Sequence, residues 1–239
     1  QFIMNQQFNK GLFLTSVASF WWGFLGVIYF KSISFIGHIE VVVHRCIWTS
    51  LMLLITTTFF NKWNLLKKII FDKKKLLILL ITSILIFGNW SIWIYAVATN
   101  RIIDASFGYF IFPIISVFFG FLFFNEKLNK KRIISISLVI ISTIYLFFNL
   151  NSFPWIGFSV AFLWSIYNLL RKKINVDTDI GLFIESLFIF PIAIVIFYFI
   201  FQNNMNDFSL SNPSLMPLLI LAGPMTVIPL FLYVKGVEL

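Results

Sequence analysis

The chain has 239 residues, of which 60% are hydrophobic and 11% charged, at a mean hydropathy of +0.95. That balance excludes an ordinary water-soluble domain and describes an all-α polytopic membrane protein surrounded by lipid bilayer. The net charge of +9 does not mark a nucleic-acid partner, because the basic residues sit in short turns between apolar runs. The single cysteine, Cys46, excludes an internal disulfide and a cysteine-rich metal site.

In chain order, eight apolar runs are long enough to cross a bilayer: roughly 11–30, 39–60, 76–99, 105–124, 133–149, 154–170, 180–201 and 215–235. The first has a lysine before it but is too long, and lacks the small-residue cleavage pattern, for a removable signal peptide. Met4 is the expected natural start, and a C-terminal truncation is expected because Leu239 closes the chain straight after an apolar run. The turns alternate sharply in charge. Lys62, Lys67, Lys68 and Lys73–Lys75 lie in one, Lys127 and Lys130–Arg132 in the next but one, and Arg171–Lys173 in a third. With Lys10 and Lys235 they put 15 of the 18 basic residues on one side. That side is expected to be cytoplasmic, with the N-terminus inside.

Within these runs, polar and helix-breaking residues stand where lipid would penalise them, so they are expected to face protein or a cavity. The first run carries Trp21 and Trp22 below the interface where tryptophan normally sits. In the second, Glu40 and His44 are four apart and share one face. Arg45 points about 100° away and suits Asp104, near the start of the fourth run. His38 and His44 are six apart and face differently, so no metal pair and no cofactor is expected.

The third run holds Asn89, whose amide suits a zwitterionic or amide-bearing solute or an interhelical hydrogen bond, and Trp93 one turn later. The fourth holds Pro113 and Ser116, with Gly108, Ser116 and Gly120 at multiples of four forming a thin ridge for a neighbouring helix. Trp164 lies deep in the sixth, and indole faces lining a cavity suit an aromatic or cationic solute as well as plain packing. Glu185, inside the seventh, reads either as a carrier of a coupling proton or as a capped or snorkelling carboxylate beside Arg171–Lys173. It is expected near the face opposite Arg45, with no direct pair between them. Gly223, Pro224 and Pro229 are expected to break or bend the eighth at mid-depth, near Thr226.

The chain also echoes itself. Ser16-Val17-Ala18 followed by Trp21 recurs as Ser159-Val160-Ala161 followed by Trp164, 143 residues later, and Phe87-Gly88 in the third run is answered by Ala222-Gly223 in the eighth. Five spans separate the starts of the two copies, and an odd number inverts the second copy, the arrangement of many secondary transporters. The expected architecture is a five-plus-five inverted repeat. Residues 1–150 form the first five-helix repeat and 151–239 the first three helices of the second, eight helices of an expected ten.

The segments GLFLTSVASFWWGFLGVIYF, EVVVHRCIW, GNWSIWIYAV, ASFGYFIFPIISVFFGFLFFNEKL, LRKK with the acidic-apolar helix after it, and LAGPMTVIPL occur in order and with matching spacing. Together they resemble RarD-type members of the EamA family in the drug/metabolite transporter superfamily. The resemblance implies an alternating-access permease of the bacterial inner membrane, with a central cavity and a small-molecule substrate, a metabolite or a drug. Within that reading Trp22, Asn89, Trp93, Ser116, Trp164 and Thr226 are expected to contact substrate. Glu40, His44, Arg45, Asp104 and Glu185 are expected to serve coupling or gating, and Pro113, Gly223, Pro224 and Pro229 to interrupt helices. Two alternatives stand beside it. An intramembrane enzyme would need a nucleophile–base pair or metal ligands, and no HExxH, GxSxG or paired intrahelical aspartates occur, so no catalytic residue is assigned. A non-transporting remnant or assembly subunit is the other.

Overall fold

The computed structural model describes residues 2–150, 152–174 and 176–239. Asn151, the first residue of the expected second repeat, and the side chain of Met4, the expected start, lie outside the described residues. All regular structure among the described residues is helical: α1 (Phe2–Phe20), a π-helical segment (Trp21–Gly26), α2 (Val27–Ser32), α3 (His38–Phe59), α4 (Trp63–Ile70), α5 (Lys73–Ala98), α6 (Ile102–Phe124), α7 (Lys130–Phe148), α8 (Trp155–Lys173), α9 (Thr178–Gln202), α10 (Leu215–Ile220) and α11 (Ala222–Glu238).

Seven of these stretches are long and apolar enough to cross a membrane: Gln6–Ser32, His38–Phe59, Lys73–Ala98, Ile102–Phe124, Lys130–Phe148, Thr178–Gln202 and Leu215–Val237. The expected run at 154–170 is helix α8, but it is not among the seven. Ser159, Ser165, Tyr167 and Asn168 dilute its apolar character, and Arg171, Lys172 and Lys173 fill its last turn. Its protein-facing side is buried all the same, from Ile156 through Val160 and Trp164 to Arg171.

Three features depart from a plain reading of apolar runs. The lysine-rich connection at 61–75 contains α4, which forms because Leu66 and Ile69 fall on one face, buried, while Lys67 and Lys68 fall on the other. The first span changes to π-helical turns at Trp21–Gly26, where a wider ring re-aims the side chains. The last span is interrupted at Leu221 rather than at Gly223. Pro224 has no N–H to bond the carbonyl of Ile220, so α10 stops there and α11 starts two residues later. Helices α6 and α11 run on through Pro113 and Pro229.

Four helix ends share one solution. Asn61, Asn100, Asn125 and Asn204 adopt the left-handed conformation, with φ of 51°, 57°, 51° and 52°. At three of them the next residue's N–H reaches back five positions, as Lys62 to Thr57, Arg101 to Ala96 and Met205 to Ile200. These are Schellman closures with asparagine in the place glycine usually takes. At the helix starts, Asp72 accepts from the Lys75 N–H at 3.1 Å and Asn129 from the Arg132 N–H at 2.8 Å.

The chain packs as two compact units: Gln1–Ser83 with Ile174–Leu239, and Ile84–Lys173. In the first, α1 lies along α11, and α3 is flanked by α9 and α11. A Cβ on Gly11 would stand 2.7 Å from the Gly236 carbonyl oxygen, so α1 and α11 touch backbone to backbone. In the second, α6 packs on α8 and α7. The α6–α7 turn is fixed by Glu126, whose carboxylate accepts from Lys172 Nζ at 2.7 Å and pairs with Arg132 at 3.4 Å.

The hydrogen bond from Lys172 comes first in holding the Glu126 carboxyl below its ordinary value of 4.5, against partial burial and with help from the Lys172 and Arg132 charges. A depressed carboxyl stabilises the fold above its ordinary pKa, and that contribution is lost as pH falls through the lowered value. Both side chains are more than a third exposed. Glu126→Gln is therefore expected to cost less than ~1 kcal/mol in a detergent melt at neutral pH, with the difference vanishing in acid.

Candidate functional site

In the first unit, α3 presents Glu40, His44 and Trp48 at intervals of four, one above another along a single face. Glu40, in the first turn and 1% exposed, accepts from the Asp207 N–H with both oxygens and from the Phe208 N–H with Oε1, each at 2.9 Å. His44 Nε2 lies 3.7 Å from Glu40 Oε1. Trp48 Nε1 donates to His44 Nδ1 at 3.2 Å, and because indole N–H only donates, the imidazole proton sits on Nε2, on the Glu40 side. Phe197 of α9 and Phe208 close over the imidazole with ring centroids 5.1 Å and 4.6 Å away. The segment joining α9 to α10 is thereby fastened to the start of α3. Burial first, and then the Glu40 charge, raise the Asp207 carboxyl above its ordinary value of 3.8.

Arg45 takes the adjacent stripe of α3. Its Nε donates to Thr226 Oγ1 at 2.7 Å, and its guanidinium carbon stands 5.0 Å from the Phe30 ring centroid. A close crossing makes the bond to Thr226 possible. A Cβ on Gly223 would lie 2.8 Å from both the carbonyl carbon and oxygen of Trp48, so α11 rests directly on the α3 backbone. One turn along α11 and one turn back along α3 then bring Thr226 and Arg45 together. The Thr226 hydroxyl in turn donates to the Ala222 carbonyl at 2.7 Å. Trp22, in the π-helical segment, packs against Tyr233 of α11 with centroids 5.5 Å apart.

Glu185 is 2% exposed in α9, too buried to snorkel, which leaves the capped and the proton-carrying readings. Its Oε1 accepts from the Thr82 hydroxyl of α5 at 2.6 Å. Ser50 of α3 donates to the Ser186 carbonyl at 3.2 Å, which makes this level a polar junction of α3, α5 and α9. Thr82 and Ser50 went unnoticed in the sequence. A hydroxyl in an apolar run is a weak signal, because it ordinarily bonds its own helix backbone.

In the second unit, Asn89 Nδ2 donates to the Val160 carbonyl of α8 at 3.1 Å, an interhelical bond that leaves the amide oxygen as an acceptor. Trp93 packs beside Ala96, Ala105, Ile156 and Val160. Trp164 is buried and stacks on Tyr167 at 5.1 Å. Ser116 is half-buried, three residues after Pro113. Asp104, for which Arg45 was the expected mate, accepts from Arg101 Nε at 2.8 Å, and Arg101 in turn covers the Trp155 ring at 5.6 Å. Among the described residues no three His, Cys, Asp or Glu side chains are grouped to hold a metal.

The sequence signature of the EamA-like transporter family matches residues 9–148. An uncharacterized transporter of Vibrio cholerae is 32% identical over 228 residues, spanning 95% of this chain and 75% of that protein. Protein RarD of Escherichia coli is 31% identical over 228 residues, spanning 95% of this chain and 77% of its own length. The uncharacterized transporter YojE of Bacillus subtilis is 31% identical over 233 residues, spanning 96% and 77%. No solved structure matches the chain.

Proposed function

The chain belongs to the EamA-like transporter family, in its RarD-type branch, and on that premise we propose that it is a secondary transporter, not an enzyme, moving small organic metabolites or drugs across the bacterial inner membrane by alternating access. The observation that carries the reading beyond the family is Arg45. A guanidinium 5% exposed within a membrane span is costly, and such groups are retained where they act on a solute or an ion.

Arg45 and Thr226 offer a fixed positive charge, with Glu40, His44, Asp104 and Glu185 as the groups that respond by coupling or gating. Asn89, Trp22, Trp93, Ser116 and Trp164 supply an amide, indole faces and a hydroxyl for an amphiphilic solute. Pro113, Gly223, Pro224 and Pro229 are the positions where the helices flex between inward- and outward-open states. Helix α8 serves as the eighth span, its polar residues tolerated because its inner side is sheltered by protein. The basic turns then all face the cytoplasm together with the N-terminus, and the two inverted repeats run over 1–150 and 151–239.

Transport in vesicles tests this. A thermal-shift screen against amino acids, nucleosides and amphenicols supplies the solute. Asn89→Ala and Trp22→Ala are then expected to reduce its transport at least tenfold, measured per amount of folded protein recovered. Unchanged transport by both variants removes those two assignments.

A further inference from the structure

We propose that the segment from Lys62 to Lys75, built on helix α4, is a docking surface for anionic lipid headgroups at the membrane face where the basic turns gather. The inference goes beyond solute transport and does not depend on it.

Helix α4 has three kinds of surface. Leu66 and Ile69 are buried, and Trp63 contacts Phe183 of α9 edge-on at 6.4 Å, so one side is seated on the protein. A salt bridge between Lys62 and Asp179 fixes its start. On the flanks of that side the apolar residues are left uncovered: Leu65, Ile70 and, just past the helix, Phe71 at 83% exposed. The remaining side carries Lys67 and Lys68, both exposed.

A helix between two spans, seated on one side and showing uncovered apolar flanks beside lysines, has the layout of an element lying in the interface plane. The flanks enter the acyl boundary, and the lysine stems reach along it to place their ammonium groups at phosphate level.

The charge is one-sided. Lys73 and Lys74, at the start of α5, are exposed and join Lys67 and Lys68 within eight residues of chain. Of the carboxylates nearby, Asp179 is engaged by Lys62 and Asp72 by the Lys75 backbone N–H. Four exposed ammonium groups around a protruding phenyl ring are complementary to a headgroup that carries both a negative phosphate and acyl chains. A free phosphate would use the lysines alone and leave Phe71, Leu65 and Ile70 without a role.

The test titrates fluorescent short-chain phosphatidylglycerol, and phosphatidylcholine of the same chain length, into the detergent-solubilised full chain. Each lysine near an anionic surface contributes about a fivefold factor in affinity. Replacing all four (K67Q, K68Q, K73Q, K74Q) is therefore expected to weaken phosphatidylglycerol binding by more than about tenfold and leave phosphatidylcholine unchanged. The pair K130Q, K131Q, on another turn of the same charge, is expected to change neither lipid's binding more than about twofold. Phe71→Ser is expected to weaken both lipids. All seven positions, six lysines and one phenylalanine, are exposed, so an unchanged melt accompanies each variant.

Parental phosphatidylglycerol affinity in the fourfold variant overturns the proposal. So does an equal loss in the K130Q, K131Q pair, displacement by inorganic phosphate beyond that by sodium chloride at the same ionic strength, or tighter binding of an oligoglutamate peptide than of the lipid.

Discussion

Replacing Gly157 with valine is expected to destabilise the α6–α8 pair by on the order of 3 kcal/mol or more, seen as loss of folded protein in a detergent melt. A Cβ at Gly157 would stand 2.5 Å from the Asp104 carbonyl oxygen and 3.0 Å from the Gly108 nitrogen. The crowding is mutual, since a Cβ at Gly108 would stand 2.5 Å from the Gly157 oxygen. All three atoms belong to helix backbone, which cannot rotate aside as a side chain can. Relief requires moving α8 away from α6, and that strains the Asn89–Val160 bond and the packing of Phe107 and Ile111 against Ala161. Gly23→Ala and Gly37→Ala are the controls, because a Cβ at either glycine meets nothing within 4 Å. A Gly157→Val melt coincident with those controls contradicts the close crossing.

The second large effect is expected at Glu40. Glu40→Ala strips the acceptor from two backbone N–H groups, at a cost of roughly 2–5 kcal/mol confined to the α9–α10 connection. Hydrogen exchange reads it directly. The amides of Asp207 and Phe208 are expected to exchange about two orders of magnitude faster, while those in the middle of α3 keep their protection. Glu40→Gln retains one acceptor oxygen and is expected to fall between. The Asp207 carboxyl supplies an independent check, since removing the Glu40 charge takes away the second cause of its upward shift and leaves burial alone. Its pKa is therefore expected to fall in the alanine variant while remaining above the ordinary value. Unaltered exchange at Asp207 and Phe208 contradicts the fastening.

The spans were legible because bilayer crossing imposes a length and a composition that any stretch of chain displays locally. The runs at 39–60 and 180–201 became His38–Phe59 and Thr178–Gln202, shifted by a residue or two. Pairings within one helix were legible too, since Glu40 and His44 follow from spacing alone. Partners on other helices were not. Thr226 lies 181 positions from Arg45 and Thr82 lies 103 from Glu185, and helical periodicity says which face a residue occupies without saying which helix covers that face. Gly223 was legible as a small residue, but its reason, the Trp48 backbone beneath it, belongs to a distant segment. Helix α4 hid among lysines because an eight-residue amphipathic turn leaves too few periods to stand out from a charged loop. The family resemblance, carried by six ordered segments, agrees with the match over residues 9–148.

The asparagine endings bear on how the protein is made. At Asn61, Asn100 and Asn204 the terminal carbonyls are closed by N–H groups no more than one residue further along. A span of this kind therefore leaves the ribosome with carbonyls at its end already closed, needing no later segment to cover them. Such helices are suited to release into lipid one at a time, in the order of synthesis, whereas the span split at Leu221 carries its interruption within its own length.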